Sequence, residues 1–197
     1  MKTSGLVPID RRMAIGGAIA GAAGLALPHR QGRTVIQRGM FGGGLARFEQ
    51  GEANFSILAS RMTFAEEDPE VVVGRVLWVD DQAGHTLRSS MITDYDVSEV
   101  QPEQGRSRQV LGIMSVNGEG EYPFELEVEV IDANLPGSGE DRAILKVGDG
   151  ARTSENATPA SGLGFIYMAA GTIVTGDIQE IGVQIDIATG VIQPAPA

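Results

Sequence analysis

Glu121-Tyr122-Pro123-Phe124-Glu125-Leu126-Glu127-Val128-Glu129-Val130-Ile131 is the stretch on which the fold turns. In it Tyr122, Phe124, Leu126, Val128 and Val130 alternate with Glu121, Pro123, Glu125, Glu127 and Glu129. Successive side chains of an extended strand point to opposite faces, so a period of two predicts a strand with one apolar face on a core and one acidic face in water. Glu125, Glu127 and Glu129 share the solvated face, where like charge discourages pairing with the edge of another molecule.

The same period continues on either side. Asn117-Gly118-Glu119-Gly120 is a hairpin signal that joins this strand to Val110 to Val116. Further strands are expected at Ala53 to Phe64, Val71 to Asp80, Leu87 to Thr93, Ala143 to Val147, Leu163 to Thr175 and Ile178 to Ile187. They are separated by Glu67-Asp68-Pro69, Asp81-Gln82-Ala83-Gly84, Leu135-Pro136-Gly137-Ser138-Gly139, Gly148-Asp149-Gly150 and Thr175-Gly176-Asp177. No helical spacing of apolar residues competes with them after the first thirty residues. Eight or nine short strands with glycine-rich turns predict an all-β, antiparallel β-sandwich, jelly-roll or Ig-like, or a flattened barrel. The expected organisation is a flexible lead-in over 27–44, one domain over 45–190 with a polar loop at 151–161, and a disordered tail at 191–197.

The amino terminus reads as an export signal. A polar stretch holding Lys2, Asp10, Arg11 and Arg12 precedes the apolar run Met13 to Leu27 and then Pro28, His29 and Arg30. A run of that length falls short of the roughly 20 residues that span a bilayer and suits the core of a signal peptide. Gly24 and Ala26 give the small-x-small pattern for cleavage after Ala26. Asp10-Arg11-Arg12-Met13-Ala14-Ile15 resembles the twin-arginine motif, with Asp10 where Ser or Thr is usual and Ala14 where Phe is common. The resemblance implies a passing contact with the twin-arginine translocase, no lasting membrane anchor after cleavage, and a periplasmic, cell-surface or secreted destination. The chain has no cysteine, which agrees with folding in a reducing cytoplasm before export.

Composition narrows the chemistry. The full chain carries a formal charge of −11 and an acidic pI of about 4.6. Removing residues 1–26 would leave 12 basic and 25 acidic residues, a net of −13. Such a surface repels nucleic acids and anionic lipids. Without cysteine there is neither a disulfide framework nor a thiolate zinc site. The only histidines are His29 and His85, the latter in the turn Asp80-Asp81-Gln82-Ala83-Gly84-His85, where a polar exposed ring is expected. No Gly-x-Ser-x-Gly elbow, phosphate loop or dinucleotide fingerprint is present, because no strand-to-helix unit exists to carry one. The chain is therefore expected not to be an enzyme.

The most specific local pattern is Asp132-Ala133-Asn134-Leu135-Pro136-Gly137-Ser138-Gly139-Glu140-Asp141. Asp132, Asn134, Glu140 and Asp141 offer hard oxygen ligands on a glycine-bent loop, the donor set calcium requires. Pro136 and Ala143 stand where an EF-hand places ligands, so this is not one. Two readings stand side by side, a calcium loop and a turn in which Asp132 and Asp141 cap backbone N–H groups. Trp78, in Val76-Leu77-Trp78-Val79-Asp80, is likewise either core or, with an acidic cleft, the platform of a carbohydrate-binding or carbohydrate-active protein.

With the strands laid out, the runs Gly51 to Ser56, Gly74 to Asp80, Gly112 to Phe124 and Asp132 to Ile144 resemble the post-COAP-1 type of bacterial domain. The likeness spans residues 51 to about 187 and rests on glycine, aromatic and turn positions. It implies a small exported β-sandwich with no established catalytic residues. Together these readings predict an exported, non-enzymatic binding or structural module whose ligand is unknown, with calcium as the one candidate cofactor.

Overall fold

Strand β6, Glu119–Val130, contains the alternating stretch as far as Val130, and it pairs with β5, Arg106–Val116, across a two-residue turn. Asn117 (φ 54°) and Gly118 (φ 83°) both take the left-handed conformation that matches the twist of tight hairpins. The computed structural model describes residues 34–64, 70–97, 106–130, 141–154 and 164–195, apart from the side chains of Val97, Arg106 and Val130. Around this hairpin the chain meanders through β1 (Thr34–Phe48), β2 (Gly51–Thr63), β3 (Val71–Asp80), β4 (His85–Val97), β7 (Arg142–Gly148), β8 (Ile166–Asp186) and β9 (Ile192–Pro194). Every neighbouring pair is antiparallel.

Closure comes from β1 and β8, which pair from Thr34↔Asp186 to Phe48↔Gly171. The result is an eight-stranded antiparallel barrel, with β9 added to the far end of β8. This corrects the sandwich reading. Period two states which face is buried, and the inner face of a barrel and that of a sandwich alternate identically. What decides between them is whether the first and last strands meet, a non-local fact. It also corrects the boundaries, since β1 begins within the segment expected to be a lead-in and β9 lies within the expected tail.

Glycine makes the closure possible. A Cβ on Gly42 would lie 2.1 Å from the carbonyl oxygen of Asp177, and one on Gly44 would lie 1.9 Å from that of Thr175. The expected turn at Thr175-Gly176-Asp177 is absent: β8 runs straight through it. Gly176, with φ 97°, serves instead next to a β-bulge at which Leu45↔Thr175 is followed by Ala46↔Ile173. Gly176 is positioned there to let the two backbones approach closely.

Inward-facing side chains fill the barrel. Met40, Trp78, Leu87, Met114, Phe124, Leu126 and Leu145 are buried in one continuous cluster. Packing of this kind, at about 1.5–3 kcal/mol per buried large side chain, is the main stabilising term. The outer face of β6 departs from expectation. Glu125 and Glu127 are only 2% and 5% exposed, so they do not form a solvated acidic face. Each is instead hydrogen-bonded from a neighbour on β5: Gln109 Nε2 donates to Glu125 Oε1 at 2.7 Å and Ser107 Oγ to Glu127 Oε1 at 3.0 Å. Burial of a carboxylate without such partners would be prohibitive.

Candidate functional site

The hairpin turns after β1, β3 and β5, and the chain leaving β7, gather at one end of the barrel. Asn117 ties two of them together, since its Oδ1 accepts from Thr86 N–H at 2.8 Å and its Nδ2 donates to the Gly84 carbonyl at 3.1 Å. The mouth inside these turns is aromatic. Trp78 stacks with Phe48 and tilts against Phe55, at centroid distances of 6.4 and 5.8 Å. His85 meets the edges of Phe165 and Tyr167 at 5.4 and 5.7 Å, and Tyr122 lies 5.2 Å from Phe165. Six of the ten aromatic residues thus belong to one network at one end. Phe48, Tyr122, Phe165 and Tyr167 are half-buried and pack against the core cluster from this end.

A polar chain runs through the floor. Trp78 Nε1–H donates to Tyr167 Oη at 3.0 Å, and Tyr167 Oη–H donates to Asp80 Oδ2 at 2.8 Å. Asp80 Oδ1 accepts from Ala83 N–H at 2.9 Å, which fixes the β3–β4 turn. Asp80 is 3% exposed and Trp78 fully buried. Burial, reinforced by the neighbouring Asp80 carboxylate, pushes the Tyr167 phenol well above its ordinary range, so it remains a neutral donor. The Nδ1 of His85 is withdrawn from solvent and has no hydrogen-bond partner in the structure. The exposed polar ring expected at this position is therefore a half-buried one packed on aromatics.

The opposite mouth is charged. Arg108 pairs with Glu180 at 2.7 Å, and Arg61 reaches Glu70, Asp94 and Asp96 at 3.2, 2.6 and 3.5 Å. Tyr95, buried beside Arg108, is pushed up to about 12, chiefly by burial, with Glu180 and Asp96 adding to the shift and Arg108 opposing it.

Of the candidate calcium ligands, Asp132, Asn134 and Glu140 lie outside the described residues, as do Arg11, Arg12 and Ala26 of the expected signal. Asp141 is described. It directly precedes β7, and its carbonyl accepts from Ile173 N–H at 2.7 Å. Among the described residues no group of three or more His, Asp or Glu is placed to hold a metal ion. Trp78 lies under the mouth and cannot stack on a sugar from outside. The aromatic network was not legible in the sequence, because Phe48, Tyr122 and Tyr167 lie on three strands whose adjacency follows only from closure. Comparison with known proteins finds no matching family model, curated protein or solved structure.

Glu125 defines a second polar cluster, on the outer face. Arg152 Nε donates to Oε1 at 3.0 Å, while Lys146 Nζ and Arg152 N–H donate to Oε2 at 3.3 and 3.2 Å. Burial by itself would raise this carboxyl, but the hydrogen bonds from Arg152 and the charge of Lys146 outweigh it and hold the group below its usual range. A carboxylate with a depressed native pKa stabilises the fold above its unfolded pKa and loses that contribution as pH falls through the native value. The expected result is acid destabilisation below about pH 4 that is weaker in Glu125→Gln, together with a loss of about 2 kcal/mol at neutral pH in that variant. Urea midpoints between pH 3 and 7 check this, and parallel curves for the two proteins would contradict it.

Proposed function

We propose that this chain is an exported, non-catalytic β-barrel module that binds a small ligand at its aromatic mouth. The observation that carries the reading is the set of half-buried rings, Phe48, Tyr122, Phe165 and Tyr167, around the opening, above a floor closed by Trp78 and Asp80. Ring faces favour cations and apolar surfaces, and the exposed acids Asp81, Glu119 and Asp149 in the surrounding turns disfavour anions. A planar organic cation is thus the preferred ligand class. A neutral carbohydrate is the second reading, with Tyr122 and Phe165 in the stacking role that Trp78 cannot take. Export rests on the twin-arginine resemblance, and calcium at Asp132, Asn134, Glu140 and Asp141 remains part of the proposal as a stabilising ion.

The single tryptophan reports on occupancy, because it sits beneath the mouth and is bonded to Tyr167. Titration with tetramethylammonium, tryptamine, neutral oligosaccharides and benzoate is expected to perturb Trp78 emission for the cations, and for oligosaccharides under the second reading, but not for benzoate. Tyr122→Ala and Phe165→Ala should each weaken that response. Equal binding of benzoate, or no response to any compound, would remove the binding assignment. Mass spectrometry of the protein recovered outside the cytoplasm should place the amino terminus near Leu27. Thermal melts with calcium and with chelator differing by less than about 1 °C, at most about 0.5 kcal/mol for a chain of this size, would end the calcium role.

A further inference from the structure

A two-residue hairpin turn with both residues at positive φ admits few side chains. Asn117 (φ 54°) and Gly118 (φ 83°) fill the two positions between β5 and β6, and Asn with Gly is a pair that takes this turn at low cost. Asparagine followed by glycine is also the dipeptide whose side-chain amide is most easily lost, since glycine has no side chain to shield its nitrogen. Of the four asparagines, Asn54, Asn117, Asn134 and Asn156, only Asn117 precedes a glycine. Both turn residues are exposed, and a Cβ on Gly118 would meet nothing within 4 Å, so solvent has access to the Gly118 nitrogen.

The side chain is nevertheless held. Asn117 Oδ1 accepts from Thr86 N–H at 2.8 Å, its Nδ2 donates to the Gly84 carbonyl at 3.1 Å, and its backbone N–H donates to the Thr86 carbonyl at 2.8 Å. The amide thus fastens the start of β4, next to the turn that joins Asp80 to His85, against the β5–β6 hairpin. Loss of ammonia needs the side-chain carbon to swing onto the Gly118 nitrogen, a rotation that these bonds resist. The Gly118 nitrogen then bonds to Asn117 Cγ, the Cγ–Nδ2 bond breaks, the Gly118 amide proton passes to solvent base, and Nδ2 takes a proton from water and leaves as ammonia. Water opens the resulting ring at Cγ to give aspartate, or at the backbone carbonyl to give isoaspartate, with no change of oxidation state.

We propose that Asn117 is a deamidation site latched by the β3–β4 turn: the clamp protects the amide while it is closed, and conversion of the amide releases the clamp. The aspartate product keeps an acceptor for Thr86 N–H but sets a carboxylate oxygen against the Gly84 carbonyl, where Nδ2 had donated. It also adds negative charge to turns that already carry the exposed acids Asp81 and Glu119. Isoaspartate lengthens the backbone of a turn built for two residues. The inference concerns the rim of the aromatic mouth and holds whether or not a ligand binds there.

The test incubates the full chain in mildly alkaline buffer, native and in urea, and follows the Asn117 peptide by mass spectrometry with isoaspartate-specific methylation. Conversion at Asn117 is expected in both, at least about tenfold more slowly in the native chain, the cost of opening two hydrogen bonds. Thr86→Pro removes the N–H donor to Oδ1 and should bring the native rate toward the rate in urea. Gly118→Ala, compared in urea where folding plays no part, should slow the conversion. N117D, the sequence of the aspartate product, should exchange its Ala83 amide about fivefold faster than the parent, because the turn has lost one tie. Should Thr86→Pro fail to fold, the parent chain decides by itself. Equal rates in the native chain and in urea would show that the clamp protects nothing, and no conversion in urea would show that there is no site. Unchanged Ala83 exchange in N117D would overturn the release.

Discussion

Gly44→Val is expected to cost at least about 3 kcal/mol and to lower the melting temperature by about 6 °C or more. The reason lies in the seam that closes the barrel. A Cβ at Gly44 would sit 1.9 Å from the Thr175 carbonyl oxygen and 2.9 Å from Gly176 Cα, both backbone atoms of β8. Flexible side chains can swing away from an added methyl, but a laddered backbone can do so only by breaking its pairing. Gly176 reciprocates, since a Cβ there would lie 2.0 Å from the Gly43 carbonyl. Opening the seam frees two long strand edges, so the variant should also self-associate as it unfolds. A melt within about 2 °C of the parent and a monodisperse profile would show that the seam yields more easily than this geometry implies.

Tyr167→Phe is expected to cost about 2–5 kcal/mol while leaving the shape of the aromatic mouth unchanged. The hydroxyl is the shared partner of two groups in the floor. Without it Trp78 Nε1–H loses its acceptor and Asp80 Oδ2 its donor, and both residues are buried. A buried polar group left without a partner costs about 1–3 kcal/mol, more when it is charged. The variant should also shift Trp78 emission, which a simple loss of packing elsewhere would not do. The pH dependence has a defined sign. Tyr167 and Tyr95 are both raised above the ordinary phenol value of 10.0, so their contribution is complete below that pH and is lost as pH rises through the native values. Alkaline unfolding should therefore steepen above pH 10, and Tyr167→Phe should remove part of that dependence. Chemical denaturation from pH 8 to 11.5 measures it, and identical slopes in the two proteins would contradict the assignment.

Local signals carried far in this chain. The alternation in Glu121 to Ile131 located β6 and its inner face, and Asn117-Gly118 located the tight turn, because period and turn chemistry act over a few residues. The same pattern misplaced Glu125 and Glu127. It distinguishes two faces but cannot say whether the polar face is covered, and Arg152 and Gln109, which satisfy Glu125, come from elsewhere in the chain. Gly42, Gly43 and Gly44 read as lead-in for a similar reason: the lack of a side chain marks a flexible segment and a close backbone approach equally well.

The sequence by itself thus determined the all-β, antiparallel class, the net acidity, the absence of disulfide chemistry and the export expectation, all of them properties of composition or near neighbours. Tertiary structure alone decided that the sheet closes and that His85, Tyr167 and Asp80 share one mouth. Each depends on pairing between residues far apart in the chain, such as Phe48 with Gly171 or Trp78 with Tyr167. No local pattern encodes those distances, because they are fixed only when β1 and β8 meet.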